Sequence, residues 1–169
     1  MIIFVFGLPG SGKSYFASHL ANMINADYIN SDRIRREMFH NRTYSIKERL
    51  SVYNKMQVQM KEAVRQHKNV VLDATFYNND IRKNFLDESK DIDDVIFIEV
   101  RAEESLIKER LKRSRLDSEA TLEVYKKIKN EREPLHEDHL ILQSTDDNIT
   151  ELLERTAEYL HLKNDKATN

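Results

Sequence analysis

Cysteine is absent from this 169-residue chain, which excludes disulfide staples and thiolate metal sites and fits a reducing compartment. Glycine is almost absent, with three residues in all. No apolar stretch approaches the ~20 residues needed to span a bilayer. The N-terminus has no basic lead before its apolar run, so no secretory leader is expected, and a cytoplasmic location with no membrane partner is. A net charge of −2 lacks the broad basic field of an extended nucleic-acid footprint and leaves room only for a local basic rim. Internal repeats, low-complexity tracts and linkers are missing too. With 40% hydrophobic and 33% charged residues, the chain can bury one core. A single domain over residues 1–162 is expected, with a polar, frayed tail over 163–169.

The few glycines lie within six positions, in the run Gly7-Leu8-Pro9-Gly10-Ser11-Gly12-Lys13-Ser14. The run fits G-x-x-x-x-G-K-[ST], the loop that wraps the phosphates of a nucleoside triphosphate. Glycine is needed where backbone takes positive φ or approaches a ligand with no Cβ in the way. Successive N–H groups then converge on phosphate oxygens, and the following helix adds the partial positive charge of its N-terminus. Lys13 is expected on the β- and γ-phosphates of ATP or GTP, and the Ser14 hydroxyl on Mg²⁺. Residues 1–6 form an apolar run suited to a fully buried parallel strand. Tyr15, Phe16, Leu20, Met23 and Ile24 follow the loop at helical spacing.

Strand-like runs near 1–6, 26–30, 69–74, 94–100 and 139–143 alternate with helical patterns. Those patterns lie near 13–25, 32–39, 46–67, 79–89, 103–130 (with a break) and 148–161. The alternation predicts an α/β fold, a parallel sheet with helices on both faces and the loop strand central. Ligands then meet the carboxyl ends of the strands. The stripe of Ile46, Leu50, Tyr53, Met56, Met60, Val64 and His67 reads as a core-facing helix face.

Asp32, in Asn30-Ser31-Asp32, stands where the second strand gives way to a helix, and suits a base that orients or deprotonates an attacking hydroxyl. Ser31 or Asp32 could instead only cap that helix. Arg35, one turn on, could face the same cleft and hold an anionic acceptor. Asp73 ends the third strand in Val71-Leu72-Asp73-Ala74-Thr75, where a carboxylate typically serves Mg²⁺, or closes the strand as an Asx turn. Arg82 could reach the acceptor or pair with Asp80 or Glu88. Residues 101–115 carry the densest basic stretch. A lid there, over about 110–118, would bring Arg110 or Arg113 to phosphate, with Arg115 not excluded. His136 and His139 lack a third ligand at useful spacing and predict no metal site.

The loop, the Asn30-Ser31-Asp32 segment with Arg35, the Leu72-Asp73-Ala74-Thr75-Phe76 strand end, Arg82 and the Arg110-Leu111-Lys112-Arg113 stretch together resemble the AAA_33-type P-loop kinases. That family includes the kinase domain of phage polynucleotide kinase and zeta-toxin-like kinases. The resemblance covers about residues 1–150. It implies a P-loop NTPase fold of nucleoside-kinase type, three layers around a five-stranded parallel sheet with a helical lid. It also implies Asp32 as general base, Arg35 on the acceptor and a lid arginine at the transition state. Where the family commonly has Phe-Glu-Pro, this chain has Arg132-Glu133-Pro134.

The expectation is an ATP- and Mg²⁺-dependent kinase acting on a hydroxyl, with an anionic small metabolite, a nucleotide or a nucleic-acid 5′ end as candidate acceptors. The alternatives are a 5′-hydroxyl polynucleotide kinase specifically, or a nucleotide-binding switch without transferase activity. A GTPase is disfavoured: Ala-Thr-Phe follows Asp73 where a switch needs D-x-x-G, and no N-K-x-D guanine reader follows the fourth strand.

Overall fold

A computed structural model describes residues 1–89, 94–112 and 121–167. Along the chain run β1 (Ile2–Phe6), α1 (Lys13–Met23), β2 (Asp27–Asn30), α2 (Ser31–Met38), α3 (Ile46–Arg65), β3 (Val70–Asp73) and α4 (Asn79–Ser89). They are followed by β4 (Val95–Arg101), α5 (Glu104–Lys112), α6 (Leu122–Glu131), β5 (Leu140–Gln143) and α7 (Ile149–Ala167). All strands are parallel, in the order β2-β3-β1-β4-β5. β1 is therefore central, its Val5 opposite Asp73 on one side and Ile98 on the other.

Every residue of β1 is buried because helices cover both faces of the sheet. Phe4 and Phe6 face a core shared with Ile34 of α2, Met56 and Met60 of α3 and Phe85 of α4. Ile3 and Val5 face the other, with Phe16 and Leu20 of α1 and Leu152 and Leu160 of α7. The Phe4 ring stacks on Phe97 at 4.9 Å and meets Phe76 and Phe85 edge-on at 5.3 and 5.8 Å. Truncating it to alanine would cost about 3–5 kcal/mol.

No glycine is spare for ending helices, so other residues take the left-handed turn. Asn25 after α1 (φ 51°) and His67 after α3 (φ 56°) do so. The next N–H then reaches back, from Ala26 to the Ala21 carbonyl and from Lys68 to that of Ala63, which satisfies the last-turn acceptors.

Three sequence expectations need adjusting. The α3 stripe is buried at Tyr53, Met56 and Met60, while Val64 is half-buried, His67 is exposed beyond the helix end, and Ile46 and Leu50 are 74% and 51% exposed. The inward position of the first turns is held by Glu48, with Val52 after it, so an apolar pattern alone placed that end out of phase. On α1, Phe16 and Leu20 face the core while Tyr15 and Met23 are exposed. Finally, α7 continues to Ala167 instead of ending at 161, since nothing after His161 breaks a helix.

Candidate active site

The loop joining β1 to α1 lies at the carboxyl edge of the sheet. A Cβ on Gly7 would come within 2.3 Å of the Val100 carbonyl oxygen, so no side chain fits where β1 leaves the sheet against β4. Gly12, at φ 92°, is the N-cap of α1 and offers no side chain to its first turn. That turn also lacks an acidic residue. By contrast α2, α3 and α6 start from the side chains of Asn30, Ser45 and Thr121, each accepting a backbone N–H. The α1 N-terminus thus keeps its donors for an anion. Ser11 Oγ, buried in the loop, has no hydrogen-bond partner.

Arg110, near the end of α5, reaches this loop. Its Nη1 donates to the Gly10 carbonyl at 3.4 Å and to Ser144 Oγ at 3.2 Å, its Nη2 to the Thr145 carbonyl at 2.6 Å. Nε faces the Asp146 carboxylate at 3.1 Å. Arg110 therefore ties the phosphate loop to the β5–α7 turn. Arg113, Arg115 and most of the expected lid lie outside the described residues.

Asp73 ends β3 fully buried. Its Oδ2 accepts from Tyr28 Oη at 2.7 Å and from Asn30 Nδ2 at 2.5 Å. Oδ1 lies 4.0 Å from Lys13 Nζ and accepts no hydrogen bond. Burial and the neighbouring Asp73 charge push the Tyr28 hydroxyl far up, so it remains a donor. A buried carboxylate oxygen left open beside the phosphate loop, with the Ser14 hydroxyl on the adjoining helix start, suits a hard cation that takes oxygen ligands. Asn30 also links this corner to the next helix: its Oδ1 accepts from Arg33 N at 2.8 Å and caps α2.

Asp32 sits in the first turn of α2. Burial raises its pKa, Lys13 and Arg35 pull it down, and the Asp73 charge raises it further, for a net upward shift. Arg35 Nη1 lies 3.7 Å from the Asp32 carboxylate, and Nε pairs with Glu48 Oε1 at 2.9 Å. The guanidinium stacks on Tyr44, 4.6 Å from the ring centre. Glu48 is the hub here. Its Oε2 accepts from Thr43 N, Thr43 Oγ1 and Tyr44 N at 2.7, 2.9 and 3.1 Å. Burial works to raise the Glu48 pKa, but these donors and Arg35 outweigh it and hold the carboxyl low. They also hold Tyr44 at φ 54°, a conformation that non-glycine residues occupy rarely. Phe76, beside the cleft on the β3–α4 connection, is similarly held at φ 42°.

Lys13 and Pro9 of the loop, Asp32, Arg35, Tyr44, Arg49, Tyr53 and Tyr77 line one cleft of about 210 Å³, closed by Val124, Lys127 and Ile128 of α6. The structure brings Asp32 and Arg35 to one wall with Lys13. The sequence reading missed Glu48, Tyr28 and the tyrosines. Only Glu48 left a trace, as the fourth member of Ser45-Ile46-Lys47-Glu48, a helix-start pattern whose carboxylate turns back to Thr43 and Tyr44.

Arg82, open from sequence to the acceptor or to pairing with Asp80 or Glu88, is not among the described residues that line this cleft. It is 3% exposed, and its Nη1 donates to the Phe76 carbonyl at 2.6 Å. Nη2 donates to Asn79 Oδ1 and to the carbonyls of Glu133 and Pro134, the last two at 3.1 and 2.9 Å. Asn79 N donates to Glu133 Oε2 at 2.5 Å. Next to this joint, buried Glu99 accepts from Arg132 and Arg101, with His139 Nε2 3.5 Å away. The non-aromatic Arg132 thereby serves as a strut from the end of α6 to β4. Among the described residues, no group of three or more His, Asp or Glu could hold a metal by itself.

A phosphate loop on the central strand, with an Asp at the end of the neighbouring strand, matches the sequence pattern of a known family, whose model, described as an AAA domain, covers residues 2–135. The chain belongs to the AAA_33 family. The fold is that of P-loop kinases. A gluconokinase from Sinorhizobium meliloti 1021 is similar at a TM-score of 0.69 and 17% identity, over 95% of each chain. The Mycobacterium tuberculosis APS kinase CysC, in complex with AMPPNP and APS, is similar at 0.69 and 16% identity, over 95% of this chain and 96% of that one. No curated protein matches the chain. No helix among the described residues is long and apolar enough to cross a membrane.

Proposed function

We propose that this protein is an ATP-dependent kinase that moves the γ-phosphoryl group to the hydroxyl of a small anionic acceptor. The observation that carries the reading is the single cleft running from Lys13 and Pro9 of the phosphate loop to Asp32 and Arg35. A nucleotide's terminal phosphate and an acceptor hydroxyl can meet there without leaving the protein.

Each residue's role follows from its chemistry. The loop N–H groups and the uncapped start of α1 hold the β- and γ-phosphates, and Lys13 balances their charge as it spreads in the transition state. Asp32 accepts the proton of the acceptor hydroxyl as that oxygen bonds to the γ-phosphorus and the bond to the β-bridging oxygen breaks, leaving ADP. Burial, which raises the Asp32 pKa, makes it a stronger base than an exposed aspartate. Arg35, held by Glu48, anchors the acceptor's anionic group. Ser14 and Asp73 would hold Mg²⁺, which supplies charge neutralisation and a template for the phosphates when bound. Arg110 steadies the loop from the side of Gly10.

The test is transfer of label from γ-labelled ATP to a panel of nucleosides, nucleotides, sugar phosphates and 5′-hydroxyl oligonucleotides. Transfer to one acceptor class, with hydrolysis slow in its absence, is the expected result. Slow hydrolysis that no acceptor stimulates would favour a nucleotide switch and overturn the kinase reading.

A further inference from the structure

The two oxygens of Asp73, a residue with no exposed surface, are treated unequally. Oδ2 accepts from both Tyr28 Oη and Asn30 Nδ2, at 2.7 and 2.5 Å. Oδ1 accepts no hydrogen bond and faces Lys13 Nζ at 4.0 Å. An ionised carboxylate offers both oxygens alike, so the two donors impose the difference. They fix the rotation of the group and satisfy one oxygen, which leaves the other turned toward the phosphate loop. The Tyr28 hydroxyl also lies 3.4 Å from the Ser14 carbonyl, between the two residues proposed for Mg²⁺.

Asn30 makes its bond to Asp73 while capping α2. Its Oδ1 accepts from Arg33 N at 2.8 Å, which fixes the orientation of the amide. Both Nδ2 hydrogens are thereby turned inward, one to Asp73 and one, at 3.2 Å, to Tyr28 Oη. Aspartate or serine would cap the helix as well. Aspartate, however, would set a second charge against Asp73, and a serine hydroxyl stops one bond short of it. The Tyr28 ring in turn carries the Arg33 guanidinium, 5.1 Å from its centre. One unbroken chain therefore runs from Asp73 Oδ2 through the Asn30 amide to the backbone of Arg33, next to Asp32.

We propose that Asn30 and Tyr28 are positioning residues that hold Asp73 with one oxygen engaged and the other offered to Mg²⁺. Through Asn30 they also couple the metal end of the site to the helix that carries Asp32 and Arg35. The proposal rests on the kinase reading for the roles of Asp73 and Asp32. Hydrogen-bond partners behind a ligating group set metal affinity by about 10–100-fold. Hydrogen bonds in a chain polarise one another, so charge drawn from Asp73 is felt at the Arg33 N–H.

Calorimetry of AMPPNP binding, once with EDTA and once with saturating Mg²⁺, gives the factor by which the metal tightens the nucleotide. Tyr28→Phe keeps the ring under Arg33, and Asn30→Ser keeps a cap oxygen for α2. Each should cut that factor by about tenfold, or down to the value of Asp73→Asn. Affinity for metal-free AMPPNP should stay near wild type, because the loop N–H groups hold the phosphates without Asp73. A merely structural role would instead weaken both affinities together and leave their ratio unmoved. In isotope-labelled protein saturated with AMPPNP, adding Mg²⁺ should shift the NMR signal of the Arg33 amide, and Asn30→Ser should lose most of that response. A metal factor at the wild-type level in either variant, or an unchanged Arg33 response in Asn30→Ser, overturns the proposal. Failure of the kinase reading looks different: wild type and Asp73→Asn respond alike to Mg²⁺, or the metal factor behaves as expected and no acceptor is phosphorylated.

Discussion

Arg35 and Arg82 are both buried arginines at the carboxyl edge of one sheet, yet they belong to regions of opposite kind. Around Arg82 the donors end on the carbonyls of Phe76, Glu133 and Pro134 and on Asn79. The joint between α4 and α6 satisfies itself. Around Arg35 one nitrogen is anchored by Glu48, the guanidinium lies on Tyr44, and the rest borders a cleft beside Asp32 and Lys13. What separates a ligand-binding charge from a structural one is where its donors end, since both are removed from water. Variants in the cleft should therefore move activity without stability, and variants in the joint the reverse.

The largest expected effect is on the cleft side. Lys13→Ala should lower turnover by about 10³-fold, roughly 4 kcal/mol of transition-state stabilisation, with the melting temperature held. Labelled-phosphate transfer beside a thermal melt measures both, and near-normal turnover in the folded variant would remove Lys13 from the phosphate site.

On the joint side, Arg82→Met keeps the bulk but strands several buried carbonyls, a cost of about 3–4 kcal/mol. That corresponds to roughly 10 °C in melting temperature for a chain of this size. Its KM for ATP and acceptor should stay near wild type. A large rise in acceptor KM with no loss of stability would return Arg82 to the cleft and break the comparison.

Asp32→Asn sets function against stability within the cleft. Turnover should fall by about 10²-fold, while the protein becomes slightly more stable at neutral pH. The sign follows from the raised native pKa: the folded state holds the Asp32 proton more tightly than the unfolded chain. Ionisation therefore costs wild-type stability between the ordinary aspartate pKa and the higher native one. Below that window the two proteins should melt alike, and above it the variant should melt higher. The acid limb of the wild-type rate profile should likewise sit above the usual carboxylate range. A variant that is less stable at every pH would mark Asp32 as a structural residue of the first turn of α2, whose cap is Asn30.

Glu48→Gln should give the smallest effects and show both regions' traits at once, because Glu48 holds the α2–α3 loop as well as Arg35. Acceptor KM should rise several-fold, ATP affinity should hold, and stability should fall by about 2 kcal/mol. The Glu48 carboxyl is held low, so its contribution is present above the unfolded pKa and lost as pH falls through the folded one. Wild type and variant should converge in melting temperature in acid. An unchanged acceptor KM would free Arg35 from its dependence on Glu48.

The phosphate loop, the central strand, the parallel order of elements and the acid at the end of β3 were all legible in the chain. Each rests on local chemistry: glycine where the loop takes positive φ at Gly10 and Gly12, apolar residues in an unbroken run for a strand, Asp73 where a strand stops. Arg35 and Asp32 were legible as well, because one helical turn fixes their spacing. Arg82, also on a helix that follows a strand's carboxyl end, was open from sequence to the acceptor or to pairing with Asp80 or Glu88. Its fate depended on carbonyls 51 and 52 residues further along the chain. The roles of Glu48, Tyr28 and Arg132, and the meeting of Tyr44, Tyr53 and Tyr77 at one cleft, were likewise decided only by the tertiary structure. Periodicity and motif spacing record how a residue relates to its near neighbours. Whether a buried charge is spent on the protein or kept for a ligand depends on which distant backbone folds against it.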